Sequence, residues 1–236
     1  MQNAAKREAV ATTRAFDPAL DLPRATVKFR YLIMSQHRTG SSLICSALKN
    51  SGVAGIPLEY FHADHLSRLT QPLTAAIVAD YYRDVQGRRT SPNGVFGMKV
   101  HFDQFRRLFV SGNSVTQSGI RFLTSFDRTL LVSRNDKIAQ AISHMLAERT
   151  AVWNSGRRRD EGSQSLKLER TDLPVILRYL SAAVADHHAW ERIVAALSLK
   201  PMIVTYEELV RSPDSELRRI MEHLGLPPLK IAPSTV

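Results

Sequence analysis

The chain has 236 residues, 44% of them hydrophobic, so it is long enough to bury the core of one large domain. Its formal net charge of +10 favours anionic partners such as nucleotides, nucleic acid, anionic sugars or a membrane surface. The single cysteine, Cys45, excludes an intrachain disulfide, and the sequence has no run of about 18 apolar residues that could span a bilayer.

The first 26 residues differ in composition from the rest of the chain. They carry several charges, are interrupted by Pro18 and Pro23, and have no apolar core of the kind found in a secretory signal. We therefore expect a flexible arm over residues 1–26, a single domain over residues 27–236, and a soluble, cytoplasmic protein.

The stretch with the most chemical information is YLIMSQHRTGSSLI, residues 31–44. Its apolar start predicts a buried strand, and Gly40 lies in a polar turn before apolar residues at helical spacing. The first N–H groups of a helix have no partner within it and attract anions, and Arg38, Ser41 and Ser42 add a charge and two hydroxyls. The same local pattern also fits an ordinary turn with a serine N-cap.

The next segment brings a carboxylate towards the same space. Residues 53–61 suggest a short strand that ends near Pro57, which places Glu59 just beyond it. Ligands of open α/β sheets bind outside the carboxyl ends of the strands, so Glu59 and the Arg38 loop would face each other. A surface carboxylate at a turn is the alternative for Glu59. A helix is predicted over residues 74–86.

Two further strands end in cations. Residues 95–100 predict a strand that contains Lys99, which is unusual because lysine is seldom buried without a partner. Residues 128–134 predict a strand that ends at Arg134, and Asn135 or Asp136 would cap a helix over residues 137–149 that carries Ser143. Arg134 also fits a surface ion pair, and Ser143 a hydroxyl bonded to its own helix.

The last third of the chain continues the alternation. We expect a mobile loop over residues 154–170, an amphipathic helix over 172–199, a strand over 201–206 and a helix from Pro213 to about Leu224 that stops at Gly225. The apolar stripe of the long helix would include Leu173, Leu177 and Val184. Alternating strands and helices predict an α/β fold with a mainly parallel central sheet flanked by helices.

The chemistry of the loop differs from that of a nucleoside triphosphatase. The phosphate loop of those proteins has the pattern G-x-x-x-x-G-K-[ST], and here Ser41 and Ser42 follow Gly40 in place of the Gly-Lys pair. Arg134 stands just after the apolar residues 130–132 of the predicted strand, where those proteins would have an aspartate. The residues therefore suit a nucleotide held directly by cations and hydroxyls, without a metal. A basic nucleic-acid-binding protein and a P-loop-type kinase without the usual lysine are the alternatives.

Several ordered motifs resemble one family. Residues 36–43 resemble the 5′-phosphosulfate loop of sulfotransferases, Arg134 with Ser143 resembles their 3′-phosphate pair, and residues 206–226 are similar to a C-terminal segment of that superfamily. More closely, residues 55–61, 92–99 and 150–153 look like the bacterial trehalose 2-sulfotransferase family.

The resemblance implies a P-loop-like three-layer fold that binds 3′-phosphoadenosine 5′-phosphosulfate (PAPS), with adenosine 3′,5′-bisphosphate as product and no metal. It implies that Glu59 is the general base, that Arg134 and Ser143 hold the 3′-phosphate, and that Tyr206 lies near the adenine. Arg38 and Lys99 would stabilise charge on the leaving oxygen. The 5′ side would be held by Arg38, Thr39, Gly40, Ser41 and Ser42.

The resemblance also bears on partners. It implies a hydroxyl acceptor on a carbohydrate or glycolipid, either trehalose-like or of the lipopolysaccharide type, and a homodimer. Nucleic acid is disfavoured as a partner because the basic residues are scattered and the few aromatic residues have no interleaved basic stripe. Contact with a membrane surface stays open, because the net charge alone does not decide between anionic partners.

Overall fold

The computed structural model describes residues 17–153 and 168–228. Its strands are β1 (Phe29–Ser35), β2 (Val95–His101), β3 (Val110–Ser111), β4 (Ser114–Val115), β5 (Arg128–Ser133) and β6 (Met202–Thr205). Four of them form a central sheet in the order β2-β1-β5-β6, and every neighbouring pair is parallel. The short strands β3 and β4 form a separate antiparallel pair. The sheet confirms the predicted α/β architecture.

Helices connect the strands, and the predicted helices after β1, before β2, after β5 and after β6 are all present. The α-helices of the described residues are α1 (Ser41–Asn50), α2 (Ala63–Leu66), α3 (Ala75–Arg89), α4 (Phe102–Phe109), α5 (Gln117–Thr124), α6 (Lys137–Thr150), α7 (Leu173–Ala196), α8 (Tyr206–Arg211) and α9 (Pro213–His223). Short 3-10 turns lie at Pro18–Leu20 and Arg170–Asp172.

Helices cover both faces of the sheet because alternate strand residues point to opposite sides. Tyr31 and Ile33 of β1 pack with α1 and α9, whereas Leu32 and Met34 pack with α3, α4, α5 and α7. All four side chains are fully buried. The result is a three-layer arrangement in which the functional loops converge at the carboxyl ends of the parallel strands.

The short strand predicted within residues 53–61, ending near Pro57, is not present in the structure. The segment is irregular and makes isolated backbone hydrogen bonds, from Ile56 N to Arg89 O at 3.1 Å and from Lys99 N to Leu58 O at 3.0 Å. Pro57 has no N–H, so this stretch lacks one of the donors of a regular ladder. The bond to Lys99 still brings Glu59 beside the carboxyl end of β2.

The apolar stripe predicted along the long helix is only partly correct. Leu173 and Leu177 are half exposed, at 56% and 50%, and Val184 is exposed at 37%. Tyr179 packs with Ala141 and Met145 of α6, whereas Trp190 and Ile193 belong to the main core cluster. The N-terminal half of α7 therefore buries a narrower stripe than the sequence pattern indicates.

The predicted arm and the predicted loop over 154–170 are only partly covered by the described residues. Residues 17–26 lie against α3, where Arg24 and Asp84 pair at 2.8 Å and Asp21 and Arg89 pair at 2.9 Å. Most of the loop predicted over 154–170 lies outside the described residues, as do residues 1–16 of the arm. In the described part of the chain, no helix is long and apolar enough to cross a membrane.

Candidate active site

The loop between β1 and α1 has an open helix N-terminus. Gly40 is the N-cap residue, with φ of 81°, and it has no side chain to accept from the first-turn amides. The serine N-cap alternative is therefore wrong, because Ser41 is the first helical residue. Amides of a first turn that lack a side-chain cap are available to an anion.

Contacts with other elements hold this loop in place. A Cβ atom on Gly40 would come within 3.0 Å of the Tyr206 ring and 3.1 Å of Leu209, so glycine allows the loop to pack on α8. Thr39 Oγ1 donates to Gln36 O at 2.9 Å, and Gln140 of α6 donates to His37 O at 2.8 Å. Thr39 thus stabilises the shape of the loop from within.

Arg38 and Ser143 contact each other, although they are far apart in sequence. Arg38 has a left-handed φ of 64°, and its Nε donates to Ser143 Oγ at 3.0 Å. A second guanidinium nitrogen donates to Trp153 O at 2.5 Å. Burial, together with the neighbouring charge of Arg134, lowers the pKa of Arg38. The residues predicted to hold opposite ends of the nucleotide therefore form one cluster.

Arg134 completes this cluster. Its guanidinium carbon lies 4.2 Å from the centre of the Tyr206 ring, in cation–π geometry. Arg134 Nε is buried without a hydrogen-bond partner, and within the described residues neither Arg38 nor Arg134 forms an ion pair with a carboxylate. The carboxylate of Glu207 instead accepts from the backbone N–H groups of Asn135 and Asp136, at 3.1 to 3.2 Å. Burial would raise the pKa of Glu207, but these backbone N–H groups and the charge of Arg134 lower it, so Arg134 has this carboxylate nearby without a direct ion pair. Two guanidinium groups without an ion-pair contact favour an anionic ligand.

Glu59 lies at the centre of a second cluster. Its Oε1 is 2.6 Å from Lys99 Nζ and 3.3 Å from His101 Nε2, and its Oε2 accepts from Gln104 at 2.7 Å. Lys99 is buried, whereas a quarter of the Glu59 side chain is exposed. Burial by itself would raise the pKa of Glu59, but His101 and Lys99 hold that pKa well below its ordinary value. Glu59 is therefore an ionised carboxylate on a partly exposed side chain.

Lys99 connects the Glu59 cluster with the loop that leads into α1. Its ammonium group also donates to Ser42 Oγ at 3.1 Å, so a single cation touches both Glu59 and the first turn of α1. Burial disfavours the charge, but the nearby Glu59 raises the pKa of Lys99 above its ordinary value. The strand position of Lys99, unusual for a lysine, is explained by these two partners.

His101 and Gln104 were missed by the sequence reasoning. The signal was present, because residues two apart on a strand share a face and Lys99 and His101 stand in that relation on β2. Gln104 follows in the first turn of α4, where its Oε1 accepts from the backbone N–H of His101 at 3.2 Å. One short segment, residues 99–104, therefore supplies all three side-chain partners described above for Glu59.

A group of histidine rings extends from this cluster. The His37 ring centre lies 4.2 Å from that of His101 and 4.9 Å from that of His144. His37 Nε2 is 3.3 Å from Asp103 Oδ1. Burial opposes a charge on His37, but Asp103 raises its pKa above the ordinary value. In contrast, burial is the main cause that lowers the pKa of His101 to about 4.

The site offers hydrogen-bond donors of the kind that bind anions. Across residues 17–153 and 168–228, no group of three or more His, Cys, Asp or Glu side chains is placed to hold a metal ion. The Arg38 and Arg134 cluster and the adjoining first turn of α1 instead offer two guanidinium groups, hydroxyls and helix amides, all of which donate hydrogen bonds to anions.

Comparison with known proteins identifies the family. The sequence model of the Stf0 sulphotransferase family matches residues 30–235, which is most of the chain. The chain belongs to the Stf0 sulphotransferase family. This confirms the resemblance drawn from the loop and strand-end motifs, and it favours a sulfotransferase over the kinase and nucleic-acid-binding alternatives.

Two curated relatives of this Stf0 sulphotransferase are named trehalose 2-sulfotransferase. The protein of Mycolicibacterium smegmatis is 28% identical, over 87% of each chain. The protein of Mycobacterium tuberculosis is 25% identical, over 86% of each chain. Among solved structures, the sulfotransferase domain from the olefin synthase of Synechococcus PCC 7002 aligns with a TM-score of 0.44 and 15% identity, over 87% of this chain and 76% of that one.

Proposed function

We propose that this Stf0 sulphotransferase transfers a sulfuryl group from PAPS to a hydroxyl of a carbohydrate or glycolipid, with a trehalose-like sugar as the first acceptor to test. The relatives named as trehalose 2-sulfotransferases support the acceptor class. The observation that carries the proposal is the position of Lys99, 2.6 Å from the Glu59 carboxylate and 3.1 Å from Ser42 at the open end of α1. A base, Glu59, and an anion site at α1 therefore share one cation, Lys99. This arrangement suits the transfer of a group from one oxygen to another, because the cation can stabilise the charge that develops.

The residues on the nucleotide side fit the donor. The open first turn of α1, with Ser41 and Ser42, would hold the 5′-phosphosulfate, and Arg38 lies beside it. Arg134 would bind the 3′-phosphate, since its buried Nε has no partner in the described protein. Ser143 would contribute its hydroxyl to the same phosphate. Tyr206, which packs on Arg134 at 4.2 Å, would lie near the adenine. A guanidinium that meets a phosphate gains a strong, charge-assisted hydrogen bond.

Bound PAPS would supply the activated sulfuryl group, whose sulfur forms a bond to the acceptor oxygen while its bond to the 5′-phosphate oxygen breaks. Glu59 would take the proton of the acceptor hydroxyl as that oxygen attacks. Its pKa is well below the ordinary value, so it is ionised and able to accept a proton at neutral pH. A low pKa also makes it a weak base, so its contribution depends on orientation more than on basicity.

Lys99 would respond to the same proton transfer. While Glu59 is ionised, the ammonium of Lys99 is shared between that carboxylate and Ser42. Once Glu59 has accepted a proton, its attraction for Lys99 falls, and the positive charge becomes available to the negative oxygen that forms beside α1. Stabilisation of such an oxygen by one donor is commonly worth ~3–4 kcal/mol. Arg38 would add to this effect from the other side of the loop.

A titration followed by a transfer assay tests the proposal. Calorimetry with adenosine 3′,5′-bisphosphate, AMP, and ATP with magnesium should show selective binding of the bisphosphate in the absence of metal. Radiolabelled PAPS should then label trehalose or another offered sugar, as detected by chromatography. Binding of ATP only with magnesium, or no transfer to any sugar or glycolipid, would refute the assignment. A cytoplasmic location and a homodimer remain further parts of this proposal, supported only by composition and by the family resemblance.

A further inference from the structure

We propose that His101 is a positioning residue, which orients the Glu59 carboxylate for proton transfer by donating from Nε2. The inference rests on the proposed function, because it assigns a reason for the orientation of the proposed base. His101 would touch neither the donor nor the acceptor, and its effect on the reaction would pass through Glu59.

The fold places His101 between two partners. In the parallel pairing of β1 with β2, Ser35 lies directly opposite His101. Ser35 Oγ is 2.9 Å from His101 Nδ1, and His101 Nε2 is 3.3 Å from Glu59 Oε1. His101 is buried, so both ring nitrogens depend on protein partners. Its backbone is held as well, because its N–H donates to Gln104 at 3.2 Å.

These contacts select one tautomer. A carboxylate only accepts hydrogen bonds, so the nitrogen that faces Glu59 must carry the proton. Nδ1 is then an acceptor, and the hydroxyl of Ser35 is able to donate to it. The opposite tautomer would point a lone pair at the carboxylate. The contacts of Ser35 and Glu59 are therefore both satisfied by a neutral His101 that is protonated on Nε2.

The neighbours of His101 disfavour a second proton. Lys99 lies on the same strand face, and the ring centre of His37, which pairs with Asp103, lies 4.2 Å from that of His101. The nearby carboxylates of Glu59 and Asp103 would favour the added charge. Burial is the largest effect, and with these neighbours it lowers the pKa of His101 to about 4. At neutral pH the ring thus remains a neutral donor to Glu59.

The consequence is a carboxylate held on both oxygens. Lys99 and His101 contact Oε1, and Gln104 donates to Oε2, so rotation of the carboxylate would break at least one contact. Productive proton transfer needs a defined direction of approach, and small errors in placement lower the rate strongly. Lys99 supplies charge, whereas His101 and Gln104 supply direction.

A pair of substitutions separates positioning from general damage. The amide nitrogen of glutamine is able to occupy the place of histidine Nε2, whereas that of asparagine lies nearer the place of Nδ1. His101→Asn should lower kcat about 10- to 100-fold with the affinity for adenosine 3′,5′-bisphosphate unchanged, and His101→Gln should recover most of that loss. The exposed His188→Asn is the matched control. Equal kcat in the wild type and both variants, or equal losses in both variants, would overturn the assignment.

A spectroscopic measurement tests the same contact without any activity. Nitrogen-15 NMR of histidine-labelled wild-type protein distinguishes the two tautomers and the protonated ring, and the signal absent from His101→Gln assigns His101. A neutral ring protonated on Nε2 at neutral pH would support the proposal. The other tautomer, or a doubly protonated ring, would overturn it. The expected tautomer in a protein that transfers no sulfuryl group would support the His101 contact and count against the proposed function.

Discussion

The two halves of the site differ in how their charges are balanced. In the cluster proposed to bind the nucleotide, neither Arg38 nor Arg134 forms an ion pair with a carboxylate of the described residues, and Arg134 Nε is buried without a hydrogen bond. In the cluster proposed to face the acceptor, Glu59 is matched by Lys99 at 2.6 Å and by further donors. The first cluster therefore keeps guanidinium donors for an external anion, whereas the charge of Glu59 in the second is already balanced by the protein.

This difference separates binding from catalysis. A guanidinium group without an ion-pair partner gains most from a ligand that brings negative charge, so Arg134 should determine affinity, and Arg38 should contribute to both affinity and rate. A carboxylate whose contacts are satisfied before any ligand arrives is preorganised, so it should determine the rate. Substitution of Arg134 should therefore mainly lower nucleotide affinity, whereas substitution of Glu59 should mainly lower kcat.

The largest effect should come from Glu59→Gln. Loss of the base should lower kcat by about 10²- to 10⁴-fold, while the affinity for adenosine 3′,5′-bisphosphate changes by less than about twofold. Steady-state kinetics and calorimetry measure the two quantities. Glu222→Gln, on the exposed side of α9, is the control and should change neither. Turnover close to the wild-type value would remove Glu59 from the role of base.

The second effect concerns stability in acid. His101 has a pKa of about 4 in the folded protein and an ordinary value of 6.5, so the unfolded chain binds a proton first as the pH falls. Above pH 6.5 His101 is neutral in both states, and the free energy of unfolding has its full value. Between pH 6.5 and pH 4 the unfolded chain takes up a proton that the folded protein does not, so the free energy of unfolding falls by about 3 kcal/mol. Urea unfolding across this range should show a shallower decline for His101→Gln than for the wild type.

The control for the acid measurement is the exposed His188→Gln, which should keep the wild-type slope. His144, whose pKa burial and the nearby His37 and Arg38 lower to about 3, contributes with the same sign. Because His144 is present in all three proteins, the difference between slopes isolates His101. Parallel declines for the wild type and His101→Gln would show that His101 is not a buried neutral ring.

Arg134→Ala tests the nucleotide half. It should weaken binding of adenosine 3′,5′-bisphosphate by about 10- to 100-fold, because a charge-assisted contact to the 3′-phosphate is lost. Binding of AMP, which has no 3′-phosphate, should change much less, and calorimetry compares the two. Arg128→Ala is the matched control. It removes an exposed arginine at the first residue of β5, the strand that Arg134 follows. Equal losses for both nucleotides would show that Arg134 does not bind the 3′-phosphate.

The smallest effect should come from Ser143→Ala. The hydroxyl accepts from Arg38 Nε at 3.0 Å, and loss of one such contact is worth about 1 kcal/mol, or roughly fivefold in affinity for the bisphosphate. We expect kcat at saturating donor to stay near the wild-type value, as measured in the same transfer assay. Ser181→Ala, exposed on α7, is the control. A drop in kcat larger than the drop in affinity would place Ser143 with the catalytic half.

Local patterns were sufficient for much of the fold. The apolar runs predicted β1, β2, β5 and β6 close to their observed bounds, because a strand buried on both faces leaves a short apolar run between turns. The helix after β5 was predicted, and of its two cap candidates, Asn135 and Asp136, the structure selects Asp136, which accepts from Ala139 N at 2.8 Å. The stretch over residues 53–61 was misread because its apolar residues resemble a strand, whereas its hydrogen bonds depend on residues far along the chain.

The sequence by itself determined the parts of this protein that depend on neighbours in the chain: the strands, the helices, the loop that ends at Gly40 and the types of charged group at the strand ends. Only the tertiary structure decided which of these groups meet. Arg38 and Ser143 lie 105 residues apart, and Lys99 and Ser42 lie 57 apart, yet each pair is in hydrogen-bond contact. Contacts of this kind follow from strand order and register, because parallel strands bring their carboxyl ends to one edge wherever they occur in the sequence.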